Sequence, residues 1–81
     1  MDDREIMQRI GQLVDEEHDL LDQGEQRMGL EPPERERLQA LQVEVDRLWD
    51  LLRQRRGLRH AGVDPDGARL RSAATVEGYK Q

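Results

Sequence analysis

The chain has 81 residues, 38% of them charged and 35% hydrophobic, with no cysteine, no phenylalanine and a formal net charge of −5. That length allows a single domain near the lower limit at which one core suffices, and the missing cysteines exclude both a disulfide framework and a thiolate metal site. The apolar residues fall at regular positions rather than being diluted evenly, which argues against wholesale disorder.

Charge is distributed unevenly. Residues 1–31 carry ten acids against three arginines, whereas residues 53–60 carry four arginines and no acid. A head-to-tail arrangement, within one chain or between chains, brings these regions together. A net acidic chain is a poor candidate for binding nucleic acid over its whole surface. The N-terminal MDDREIMQRI is acidic and lacks an apolar run, so no signal peptide is expected. No segment approaches the roughly 18 apolar residues that a membrane span needs, and a cytoplasmic setting is the expectation.

In the first segment apolar pairs recur every seven residues: Ile6 with Met7, Leu13 with Val14, and Leu20 with Leu21. Ile10 lies between the first two pairs and Met28 ends the series. A strict seven-residue recurrence on an α-helix gives a seam that supercoils against a partner helix. Asp2 or Asp3 can cap the start, and Glu5 sits favourably in the first turn. Gly24, Gly29, Pro32 and Pro33 interrupt the pattern, which predicts a helix over about residues 3–27.

Proline is tolerated in the first turn of a helix, so Pro32 and Pro33 lead into a second one. From Leu38 the apolar positions Leu41, Val45, Leu48 and Leu52 follow a three–four spacing, again a heptad seam. Trp49, Leu51 and Leu58 widen the stripe beyond a two-stranded seam. Gly57 and Gly62 are stop signals, and the second helix is predicted over about residues 33–60. Two helices of similar length and a short connection make an antiparallel hairpin over residues 1–62. A hairpin alone leaves Met7, Val14, Leu21, Trp49 and Leu51 facing water. Small scaffolds without disulfide or metal commonly solve this by oligomerising, so the expected architecture is all-α, with two hairpins paired into a homodimeric four-helix bundle. The remaining tail, 63–81, is expected to be mostly irregular and partly ordered, with a turn at Asp64-Pro65 and Val76 and Tyr79 pinning it to the bundle.

Four segments together carry a family resemblance: DEEHDLL (15–21), LWDLLRQRR (48–56), AGVDPDGA (61–68) and VEGYKQ (76–81). In that order they resemble the short, mostly actinobacterial proteins of the domain of unknown function 2630 family, over nearly the whole chain. The resemblance implies a cytoplasmic bacterial setting and assigns no catalytic residue.

The residues themselves offer three candidate sites. Asp15 and His18, and His18 and Asp22, are spaced to share a helix face. Carboxylate and imidazole ligands at such spacings hold metals in di-iron bundles, but those need donors from several helices. The second helix has no histidine in its seam, so a solvated acidic face is the preferred reading and no metal or other cofactor is expected. Glu17 occupies a seam position, where a carboxylate needs a partner. Arg47 or the indole N–H of Trp49 are the candidates, in a polar contact that fixes register. The arginines Arg53, Arg55, Arg56 and Arg59 could hold phosphate, yet no aromatic is interleaved with them and no reading motif is present. Cations also suit a helix C-terminus, where a charge clamp on Asp2, Asp3 and Glu5 accounts for them without nucleic acid. With one serine, no glycine-rich phosphate loop and little volume for a pocket, the expectation is a non-enzymatic helical interaction or adaptor protein with an unidentified protein partner. A nucleic-acid-associated protein using the arginine cluster is the second reading, and a metal-binding bundle around Asp15, Glu17 and His18 the third.

Overall fold

The computed structural model describes residues 1–78. Helix α1 spans Asp3–Gln26 and α2 spans Pro32–His60; a 3-10 turn at Pro65–Gly67 and a short helix α3, Ala73–Gly78, follow. α1 starts where Asp2 and Glu5 form a reciprocal cap. The Asp2 carboxylate accepts the Glu5 backbone N–H at 2.8 Å, and the Glu5 carboxylate accepts that of Asp2 at 3.2 Å, which satisfies two donors that a helix N-terminus otherwise leaves unmade. Glu34 closes the start of α2 in a similar way, accepting the Glu31 N–H at 2.9 Å.

Both long helices stop in the same manner. At the end of α1 the N–H of Gly29 reaches the carbonyl of Gly24 at 2.7 Å, and that of Met28 reaches Glu25. At the end of α2 Val63 reaches Leu58 at 2.8 Å and Gly62 reaches Arg59. Each is a Schellman arrangement, whose pivotal residue takes a left-handed backbone. Gly62 (φ 75°) fills that position after α2, but Met28 (φ 62°) fills it after α1.

α1 and α2 pack as an antiparallel hairpin around Ile6, Ile10, Leu13, Leu41, Leu48, Leu51 and Leu52, with Val14, Leu20 and Val45 packed against this core. Apart from Leu51 and Val14, which flank it, these are the heptad positions, so the seam follows directly from the periodicity. At the turn, Leu30 lies over Gly24. A Cβ at that glycine would come within 2.6 Å of the leucine side chain, so the turn fits because residue 24 has none.

The C-terminal segment is more ordered than the mostly irregular tail expected, and the expected turn at Asp64-Pro65 and docking of Val76 are both present. Asp64 caps the 3-10 turn by accepting the Asp66 N–H at 2.9 Å, and the Ser72 hydroxyl accepts the Thr75 N–H at the start of α3. Val76 is fully buried, whereas Tyr79 lies outside the described residues. Both the turn and α3 pack on α2. The reason for the order is a row of hydrogen bonds from α2 to tail backbone. Arg47 donates to the Arg71 carbonyl at 2.9 Å, Gln54 donates to the Arg69 carbonyl at 2.7 Å, and Gln54 accepts from the Arg69 N–H.

Candidate interaction surface

The tail makes the hairpin two-sided. With Leu48 and Leu52 in the seam, Leu51 and Leu58 fall on one flank of α2 and Gln42, Trp49 and Arg56 on the other, since each residue advances about 100° round the helix. The first flank lies under the tail; the Leu58 side chain meets Gly67 and Leu51 is buried. On α1 the corresponding flanks are Arg9 and Glu16 on the tail side, and Met7, Val14 and Leu21 on the other. The bidentate pair between Arg37 and Glu16, at 2.8 and 2.9 Å, bridges the helices on the tail side and confirms this assignment of faces. On the opposite face Glu77 of the tail lines a groove with Glu17, Gln42 and Asp46, and away from that groove no segment among the described residues covers the face. There Met7 is 52% exposed, Leu21 44% and Trp49 37%.

The four arginines near the end of α2 divide between these environments. Arg55 is buried, with its guanidinium bonded on three sides: to Asp3 Oδ1 at 2.6 Å, to Asp66 Oδ1 at 2.9 Å and to the Pro65 carbonyl at 3.3 Å. It joins the start of α1, the end of α2 and the tail in one contact. Arg59 holds the other Asp3 oxygen at 2.9 Å. Both guanidinium groups favour the charged carboxylate, and the Asp3 carboxyl is held below the ordinary value of 3.8, first of all by the hydrogen bond from Arg55. Asp3 is free for this role because Asp2 serves as the cap. Arg53 and Arg56 are exposed and take no hydrogen bond or ion pair among the described residues.

The Glu17 expectation meets a different geometry. Glu17 is half-buried in the seam beside an open groove lined also by Gln42, Val45 and Asp46, and neither Arg47 nor Trp49 reaches it. Arg47 lies on the tail flank, where it bonds Glu44 at 3.1 Å as well as the Arg71 carbonyl. Trp49 lies on the uncovered flank. The axial offset also differs: Asp3 pairs with Arg55 near one end and Glu16 with Arg37 near the other, which sets Glu17 nearer to Leu41 than to Arg47.

Asp15, His18 and Asp22 are exposed, and no group of three or more His, Asp or Glu able to hold a metal ion occurs among the described residues. Among those residues no helix is long and apolar enough to cross a membrane. Sequence reasoning missed Asp50 and Gln54. Asp50 is buried, accepts from Gln54 at 2.9 Å and lies 3.6 Å from the Arg71 guanidinium. The available signal was an i, i+4 polar pair beside Leu51 and Leu58, a flank with too many leucines to be solvent-facing.

Comparison with known proteins places this architecture. Uncharacterised proteins of Mycobacterium tuberculosis and Mycobacterium bovis are 44% identical to the chain over 77 residues, covering 95% of it and 88% of their own length. No solved structure matches. The family described as "Protein of unknown function (DUF2630)" matches residues 2–81, and the chain belongs to that family.

Proposed function

We propose that the chain is a non-enzymatic, cytoplasmic helical interaction protein that acts as a homodimeric four-helix bundle through its uncovered face. One observation carries the reading: the tail seals one flank of a two-helix hairpin, while the opposite flank leaves Met7, Leu21 and Trp49 exposed side by side with the seam. Exposed apolar groups gathered on one face mark a contact surface, and a large indole among them is the kind of residue that anchors one. The nucleic-acid reading keeps only Arg53 and Arg56, since Arg55 and Arg59 are already engaged with carboxylates. Two uncommitted arginines in the cluster, on a chain of net charge −5, supply little of the phosphate neutralisation that such binding needs.

Melting measured over about a hundredfold range of protein concentration tests the reading, because association shifts the unfolding midpoint by mass action. The midpoint rises with concentration for the natural chain and becomes independent of it in Trp49→Glu. A midpoint independent of concentration in the natural chain contradicts the proposal.

A further inference from the structure

We propose that the tail is a releasable strap latched by Arg55, so that Asp3 at the start of α1 governs how often Leu51 and Leu58 are uncovered. The inference concerns the sealed flank and stands apart from the homodimer reading. Apolar packing holds the tail at few points. Val76 is fully buried, but Leu70 is 44% exposed and Val63 53%. Clefts of about 260 and 330 Å³ remain between the tail and the hairpin, and the atoms lining such gaps forgo the contacts that close packing would give. The bonds from Arg47 and Gln54 end on tail carbonyls, and water can replace each of them at small net cost. A segment held in this way opens locally, well below the cost of global unfolding.

Arg55 differs from Arg47 and Gln54 because its charge is buried. A buried guanidinium needs its countercharges, and losing one leaves a charge that is costly to keep out of water. Asp3 supplies one countercharge from α1, and Asp66 supplies the other from the tail, where the Pro65 carbonyl is a third acceptor. The Asp66 arm is the one that lets go, since most of its side chain is in water and exposed ion pairs contribute little. Lifting the tail returns the guanidinium to water. With Asp3 in place the buried charge is balanced and the strap stays down. Without it, opening relieves the imbalance and becomes more frequent. Each opening bares Leu51 and Leu58 and gives the hairpin apolar surface on both flanks.

Hydrogen exchange of the full chain, read residue by residue by NMR, tests the latch. In Asp3→Asn the Ala68 and Val76 N–H groups, both hydrogen-bonded within the tail, exchange about tenfold faster, the effect expected from losing one charged hydrogen bond. The amides of Val45 and Leu48 in α2 keep their rates. Glu16→Gln removes the same charge from α1, in an ion pair with Arg37 that leaves the tail untouched, and the tail amides keep their rates as well. In an Arg55→Gln background, where the buried charge is gone, adding Asp3→Asn changes the tail rates no further. Tail rates that do not respond to Asp3→Asn overturn the latch. So does a uniform rise across α2 and the tail, or an Asp3→Asn effect that persists without Arg55.

Discussion

At the scale of single residues, Met28 stores strain. It takes a left-handed backbone at the end of α1, where its counterpart after α2 is Gly62, and its side chain is almost wholly exposed. A side chain there costs roughly 1 kcal/mol relative to glycine and makes no packing contact that offsets it. Met28→Gly is therefore expected to stabilise the fold by about 1 kcal/mol in urea unfolding, the reverse of the usual glycine penalty. Asp3 sets an acid limit. Its carboxyl lies below the ordinary value because Arg55 and Arg59 hold the charged form, and Glu16 is lowered likewise by Arg37. A carboxyl lowered on folding stabilises the native state at pH values above the unfolded pKa, and that stability is lost as pH falls through the folded pKa. The urea midpoint should accordingly be flat above about pH 5 and decline below about pH 4. In Asp3→Asn the plateau is lower and the acid decline shallower; an unchanged slope contradicts the clamp.

At the scale of elements, α2 is the centre of the molecule: it packs α1 on its seam and the tail on one flank. Gln54 ties the tail with two hydrogen bonds to Arg69. Gln54→Ala is expected to cost about 1–2 kcal/mol of local stability and to speed tryptic cleavage after Arg69 and Arg71, with α1 and α2 remaining intact. The two long helices were legible in the sequence because a seven-residue apolar repeat identifies a seam, and because Asp2, Pro32 and Gly62 mark ends by their own backbone chemistry. The axial offset between the helices was not legible. A heptad fixes which residues face inward but not how far one helix slides along the other, and so Glu17 met neither Arg47 nor Trp49. Beyond the turn at Asp64-Pro65 and the docking of Val76, the extent of the tail's order was hidden for a different reason. It is held through the carbonyls of Pro65, Arg69 and Arg71, and a backbone acceptor leaves no mark in the choice of side chain.

At the scale of the whole molecule, the distribution of apolar surface is the governing fact. The tail gives the hairpin a third layer on one flank, which removes Leu51 and Leu58 from the surplus expected from their spacing. Met7, Leu21 and Trp49 remain, all on the opposite flank. The candidate site was thus half legible: the stripe and the arginine cluster stand out in the sequence, while the division of the arginines follows from where the tail docks. Sedimentation velocity of the full chain at micromolar concentration tests the central claim most directly. The account predicts a species of twice the 9.5 kDa chain mass for the natural protein and of one chain mass for Trp49→Glu, both fully helical by circular dichroism. A natural protein that sediments as a stable, fully folded monomer contradicts it.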